Sequence, residues 1–119
     1  MPLDIKKDFF KTKDDVLADL RETGFWPTTF VSPESPELPL HWHEAEVHGY
    51  VLEGETYLVD GETGEHQRFG VGDKLVLPRG TVHAEGKVEG RMVYIVAMKE
   101  PTNLEPLLQL KDPAEAPAD

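Results

Sequence analysis

Short β-type runs separated by Gly and Pro occupy most of the chain from Phe25 onward, and this spacing constrains the fold more than any other feature. No long helical pattern lies between the runs, so the sequence predicts an all-β fold, either a sandwich or a closed barrel. With 119 residues, the chain has the length of one ordinary domain. The predicted strands are Phe25–Val31, Leu40–Trp42, Val47–Leu52, Thr56–Val59, His66–Phe69, Lys74–Leu77 and Met92–Met98.

A short helix is predicted before the first strand. Thr12 and Asp15 have the spacing of a capping box, Val16, Leu17 and Leu20 would share one face, and Gly24 suits the end of the helix. The domain prediction is an N-terminal extension over residues 1–24, a β-barrel over 25–100 and a C-terminal segment over 101–119. In that last segment we expect a short helical turn around Leu104, Leu107 and Leu108, and disorder in the final residues.

The loops are predicted from their turn residues. The segment Asp60–Gly64 reads as a hairpin loop, and Leu77–Gly80 as a turn that uses Pro78 and Gly80. The proline-rich stretch 32–39 is expected to cross the surface in an extended form, because proline is excluded from central strands.

The charge distribution excludes several classes of partner. The net charge is −11, and no Lys or Arg occurs between Arg21 and Arg68, an interval that holds ten carboxylates and four of the five histidines. Binding to nucleic acid or to an anionic membrane needs clustered cations, so neither is expected. Because there is no cysteine, disulfides and Cys-ligated metals are excluded. Charges scattered through the first ten residues argue against a signal peptide and favour the cytoplasm.

Three histidines form the candidate site. His41 and His43 are separated by one residue in a predicted strand, where alternation places both imidazoles on the same face. A third histidine, His83, follows the rigid Pro78–Gly80 turn. Neutral imidazoles held by a rigid scaffold can bind a divalent ion and leave positions open for water or substrate.

This pattern resembles the cupin superfamily, in particular small single-domain proteins of the cupin-2 type. The first cupin motif is matched by His41, His43 and Gly54, and the second by Gly72, Pro78, Gly80 and His83 at every spacing. The resemblance implies a jelly-roll barrel, also called a double-stranded β-helix. It also implies one metal ion held by His41, His43 and His83, with Fe, Mn, Co, Ni and Zn all open. The Asn that the family places four residues after the last histidine is Lys87 here.

One position departs from the family pattern. The metal-binding Glu of the family is expected seven residues before Gly54, where this chain has Val47. The site could therefore hold three histidines with open positions, recruit His48 and then Glu46 as a fourth ligand through a change of strand register, or hold no metal. If Val47 points inward, so should Gly49 and Val51, which would leave an apolar cavity.

The resemblance implies a metal-dependent enzyme, oxygenase-like, isomerase or decarboxylase, acting on a small organic molecule, with catalytic residues that the sequence does not identify. A non-catalytic or sensory binding module and a metal-independent sugar-modifying enzyme are the alternatives. Arg68, Arg79 and Arg91 could meet a substrate carboxylate, and Tyr50, Tyr57 and Tyr94 could act as acids, although exposed salt bridges and packing are the simpler roles. By analogy with small jelly rolls, whose sheet edges need covering, we expect a homodimer.

Overall fold

The computed structural model describes residues 3–100 and 110–117 of the chain. Among these residues, one helix, α1, covers Lys13–Thr23, and one 3-10 turn covers Pro113–Glu115. The same residues form eight strands: β1 Asp4–Lys6, β2 Trp26–Ser35, β3 Val47–Glu53, β4 Thr56–Asp60, β5 His66–Phe69, β6 Lys74–Leu77, β7 His83–Glu85 and β8 Val88–Met98. In this part of the chain, no helix is long and apolar enough to cross a membrane.

The strands form two antiparallel sheets. The larger sheet has the order β1-β6-β3-β8-β2, and the smaller one has the order β5-β4-β7. This arrangement confirms the predicted all-β jelly roll with a short N-terminal helix. The sheets are not closed into a continuous barrel, because the described strands separate into these two hydrogen-bonded sets. The division of the chain at residues 24 and 100 stays a prediction.

Three strands and one turn differ from expectation. Neither β1 nor β7 was predicted, because three residues are too few for a recognisable pattern, whereas the predicted strand Leu40–Trp42 contributes only isolated bridges. The second turn lies one residue later than expected: the Thr81 amide donates to the Pro78 carbonyl, and Gly80 has a φ of 83°. That left-handed conformation is what requires glycine there.

The helix begins and ends as its capping residues predict. Thr12 and Asp15 make the reciprocal bonds of a capping box, and the Gly24 amide donates to the Leu20 carbonyl from a φ of 74°. Val16 and Leu20 are buried against the larger sheet, but Leu17 is exposed. The expectation that Leu17 shares the buried face is therefore wrong.

The two faces of β3 have different surroundings. Val47 and Val51 point into the apolar core between the sheets, and Gly49 lines the cavity there, as alternation predicts. On the outer face, Tyr50 packs under α1, where its hydroxyl donates to Asp19. Lys74 pairs with the same carboxylate at 2.5 Å. A buried lysine needs such a partner, since an unpaired charge would be costly to bury.

The C-terminal part of the described chain lies against the first histidine motif. The Trp42 indole donates to the Asp112 carbonyl at 2.8 Å, and Trp42 forms a bridge with Lys111. The disorder expected in the final residues stays a prediction. The helical turn expected at Leu104, Leu107 and Leu108 lies outside the described residues.

Asp73 joins the N-terminal segment to the larger sheet. Its buried carboxylate accepts hydrogen bonds from the Lys7 ammonium and from the backbone amides of Asp8 and Gly70, at 2.8 to 2.9 Å. Burial by itself would raise the pKa of Asp73, but these three bonds outweigh it and lower the pKa below the ordinary value of 3.8. The folded state therefore favours the ionised carboxylate.

Replacing this carboxylate should destabilise the fold. We expect Asp73→Asn to lower the free energy of unfolding at pH 7 by about 2 kcal/mol, because charge-assisted hydrogen bonds are lost. A folded-state pKa below 3.8 stabilises the protein above that pH, and the contribution disappears as the pH falls. Urea unfolding should therefore show less acid sensitivity below about pH 4 in the variant than in the wild type. The exposed Asp4→Asn is the control; an equal loss in both variants would contradict this account.

Candidate metal site

A backbone bridge brings the two histidine motifs together. The His41 amide donates to the His83 carbonyl at 2.8 Å, and the His83 amide donates to the His41 carbonyl at 2.9 Å. The Gly80 amide also donates to the His43 carbonyl at 3.1 Å, so the turn before His83 is tied to the first motif. Because the register is fixed in this way, the imidazole of His83 converges with those of His41 and His43. The ring centroids lie 4.6 to 5.2 Å apart.

The ring nitrogens of two histidines have defined roles. Nδ1 of His41 lies 2.6 Å from the Pro39 carbonyl oxygen, and Nδ1 of His83 lies 2.8 Å from the Thr81 carbonyl oxygen. A carbonyl oxygen can only accept, so each Nδ1 carries a proton. The opposite nitrogen, Nε2, is then available as a ligand atom, which is the arrangement found for metal-binding histidines.

Glu85 is the fourth member of the cluster. It lies two residues after His83 on β7, so strand alternation places both side chains on one face. Its carboxylate oxygens lie 2.8 Å from Nε2 of His41 and 3.4 Å from Nε2 of His83. The corresponding distance to Nε2 of His43 is 3.9 Å. One ligand atom from each of the four residues lies within 4.8 Å of the others.

The cluster has the donor set of a cation site. Buried atoms without a hydrogen-bond partner among the described residues include Nε2 of His41, Nε2 of His83 and Oε2 of Glu85. With the protons on Nδ1, neutral imidazoles and a carboxylate direct lone pairs at one another, which is unfavourable unless a metal cation or a second imidazole proton lies between them. Ligands about 2.0 to 2.1 Å from one ion would lie roughly 3.3 Å apart in a tetrahedron, and the carboxylate–imidazole distances here range from 2.8 to 3.9 Å.

The ionisation of the cluster follows from the same contacts. Burial alone would raise the pKa of Glu85, but the surrounding imidazoles of His41, His43 and His83 outweigh it and hold the pKa well below its ordinary value. For His41, burial alone would lower the pKa, but the Glu85 carboxylate 2.8 Å from its Nε2 raises it. Each group thus favours the charged form of the other, as expected for an acid–base pair that shares a buried site.

The residues considered as a fourth ligand lie elsewhere. His48 points to the outer face of β3, where its ring stacks on Phe25 with centroids 4.2 Å apart. Its Nε2 lies 2.6 Å from a carboxylate oxygen of Glu46. The strand is regular at this point, so no change of register turns either side chain inward. Neither residue joins the group of four, and Glu85 takes the carboxylate position instead.

Glu85 was not predicted as a site residue, because the family pattern has its carboxylate ligand in the first motif, at the position of Val47. The same alternation that pairs His41 with His43 also pairs His83 with Glu85, so the signal was present in the sequence. Val47, at the usual position of the Glu, is buried and faces the cavity together with His43 and Glu85. The fifth histidine, His66, is exposed and stacks on Tyr57.

An apolar cavity of about 190 Å³ adjoins the cluster, as the alternation in β3 predicted. Tyr94 lines it, and burial together with the nearby Glu85 charge raises the pKa of its hydroxyl. Tyr50 and Tyr57 lie elsewhere, bonded to Asp19 and Glu37. None of the three candidate arginines lines the cavity: Arg79 and Arg91 form exposed ion pairs with Glu44 and Glu53, and Arg68 is also exposed.

Comparisons with known proteins agree with this architecture. The polyketide cyclase RemF from Streptomyces resistomycificus is 30% identical, with a TM-score of 0.51 and coverage of 70% of this chain. The DMSP lyase DddQ from Ruegeria pomeroyi is 26% identical, with a TM-score of 0.53 and coverage of 68% of this chain. The chain spans only 65% of the length of the cyclase and 40% of the length of the lyase.

The fold has a more distant match in an RmlC-like cupin with a double-stranded β-helix from Methanocaldococcus jannaschii. It is 18% identical, with a TM-score of 0.50, and the match covers 62% of this chain and 68% of that one. No curated protein sequence matches the chain. The family model described as "Cupin domain" matches residues 29–98, which include both histidine motifs and Glu85. With more than half of its length matched, the chain belongs to the cupin family.

Proposed function

We propose that the protein is a metal-dependent enzyme in which His41, His43, His83 and Glu85 hold one divalent ion beside the apolar cavity. The observation that carries this proposal is the convergence of buried ligand atoms without hydrogen-bond partners. When bound, such an ion supplies Lewis-acid or redox chemistry at its open positions. The donor set of nitrogen and oxygen suits Fe, Mn, Co, Ni or Zn.

The protein residues have separate tasks in this proposal. The carbonyls of Pro39 and Thr81 orient the imidazoles of His41 and His83, so that the ligand nitrogens are set before an ion arrives. Glu85 contributes the negative charge that three neutral imidazoles lack. Tyr94, with its raised pKa, keeps its proton and can donate a hydrogen bond to a bound molecule. The apolar walls exclude water from the reacting atoms.

The reaction class is proposed from chemistry and analogy together. Open metal positions beside a cavity suit oxygenation, isomerisation, decarboxylation or a related lyase or cyclase reaction of a small organic molecule. A polyketide cyclase and a DMSP lyase among the similar structures support an enzyme of this kind. In a purely binding cupin, the same site would hold a ligand without converting it.

Removing a ligand should abolish metal binding. We expect the full chain to bind one ion, and His41→Ala or His83→Ala to weaken binding by at least about 100-fold, since each loses a direct ligand. His66→Ala is the matched control, because its exposed imidazole lies outside the cluster. Calorimetry with Co or Zn on chelator-treated protein gives the affinities. Unchanged affinity in both cluster variants would reject the proposed site.

The role of Glu85 can be tested by moving its carboxylate. We expect Glu85→Ala to weaken metal binding by about 10- to 100-fold, and the double variant Glu85→Ala/Val47→Glu to recover part of the loss. Val47 faces the same cavity, so a carboxylate there reaches the cluster from the neighbouring strand. Glu46→Gln should leave the affinity unchanged. Equal affinity in Glu85→Ala and the wild type would remove Glu85 from the site.

We also propose that the protein is a homodimer that joins along β2. This strand lies at the edge of the larger sheet, and Trp26, Phe30 and Val31 on it are exposed. An edge strand with exposed apolar side chains is a template for pairing with a second strand. The opposite edge is formed by β1 from the N-terminal segment, and its exposed residues Asp4 and Lys6 are charged.

Light scattering at micromolar concentration should give about twice the mass of one 13.4 kDa chain. We expect Val31→Lys to shift the protein towards the monomer, because a charge would be placed in the interface. Val71→Lys, at an exposed apolar position outside β2, is the control. A wild-type monomer under these conditions would contradict the proposed dimer.

The remaining expectations about partners and location are also proposals. The net charge of −11 supports the absence of nucleic-acid and membrane binding, since the phosphates of both would be repelled. The absence of cysteine is compatible with the proposed cytoplasmic location.

A further inference from the structure

The walls of the cavity restrict what can enter it. Its volume is about 190 Å³, and aliphatic and aromatic side chains from both sheets form most of its surface. These include Phe30, Leu58, Phe69, Leu75, Val88 and Val96. An apolar cavity of about 150 Å³ is large enough for benzene, so this one suits a single ring with a short substituent.

The side chains that line the cavity offer no cation to a charged ligand. Among the described residues that line it, no Lys or Arg occurs, and the only charged side chain besides a titratable His43 is the acidic Glu85. The buried Lys74 lies on the other side of the larger sheet, paired with Asp19. Burying a carboxylate without a partner is costly, and a nearby negative charge increases that cost.

One hydroxyl in the cavity is free to donate. Ser32, Ser35 and Thr56 already donate to the backbone carbonyls of Pro33, Pro36 and Lys87. The Tyr94 hydroxyl has no hydrogen-bond partner within residues 3–100 and 110–117, and its ring faces the cavity between Phe30 and Phe69. A partly buried phenol still favours a hydrogen-bond partner, and here a bound molecule can supply it.

We infer that the cavity binds an uncharged, mainly apolar molecule of about one aromatic ring, with a carbonyl or similar acceptor that takes a hydrogen bond from Tyr94. This inference rests on the proposed function in one respect: the cavity beside the metal cluster is taken as the substrate site. In this arrangement Glu85 and His43 lie at the polar end of the ligand, and the aliphatic and aromatic walls surround its ring.

Acetophenone and benzoate form a suitable pair of probes, because they have nearly the same shape and differ in charge. In titrations of the full chain after chelator treatment, followed by NMR, we expect acetophenone to bind at least about tenfold more tightly than benzoate. Benzoate binding as tightly as acetophenone, or no binding of acetophenone at all, would overturn the inference.

Two variants locate the probe. We expect Tyr94→Phe to weaken acetophenone binding by about two- to tenfold, the value of one hydrogen bond, and to leave the affinity for ethylbenzene unchanged. A Cβ on Gly49 would meet Leu75 at 3.6 Å, an ordinary contact, so Gly49→Ala fits and fills part of the cavity. It should reduce the binding of both neutral probes. Equal weakening of acetophenone and ethylbenzene in Tyr94→Phe would reject the hydrogen bond.

The outcome is separable from that of the proposed function, because neither titration needs a metal. Selective acetophenone binding by a chain that binds no ion would support the ligand class and reject the metal enzyme. Metal binding at the four-residue cluster without acetophenone binding would support the metal site and reject the ligand class.

Discussion

The site depends on two backbone hydrogen bonds between His41 and His83, at 2.8 and 2.9 Å. This bridge joins segments that are far apart in the sequence and sets which residues stand opposite one another. Once it forms, alternation places His43 and Glu85 on the same face as the bridged pair. The same backbone supplies the carbonyls of Pro39 and Thr81, which fix the protons on Nδ1. The His41–His83 bridge and its neighbouring carbonyls therefore set both the backbone register and the protonation of the candidate ligands.

The two faces of β3 contact different parts of the molecule: helix α1 on the outer face, and the cavity beside the histidine cluster on the inner face. On the outer face, helix α1 covers Tyr50 and Lys74, and Asp19 satisfies both groups. On the inner face, Val47 and Gly49 leave an apolar space beside the histidine cluster. The Lys74 ammonium thus lies on the opposite side of the sheet from the cavity. The negative charge of the interval between Arg21 and Arg68 favours a divalent ion, although exposed charges are screened beyond about 8 to 10 Å.

Local patterns predicted the fold well wherever the relevant interactions are local. The capping box of Thr12 and Asp15, the hairpin at Asp60–Gly64 and the alternation in β3 all appear in the structure. Long-range pairing was less accessible: β1 and β7 are three residues each and are recognisable only through their partners. The separation of the strands into two sheets also depends on long-range pairing. Glu85 was accessible by alternation, whereas the outward direction of His48 depended on whether β3 is regular.

The central claim is that His41, His43, His83 and Glu85 together hold one metal ion. Anomalous diffraction from crystals of the full chain grown with Co or Zn tests this claim most directly. The account predicts one strong anomalous peak about 2.0 to 2.2 Å from an imidazole nitrogen of each histidine and from a carboxylate oxygen of Glu85. A peak at His48 and Glu46 instead, or a cluster closed by direct His–Glu hydrogen bonds with no ion present, would contradict it.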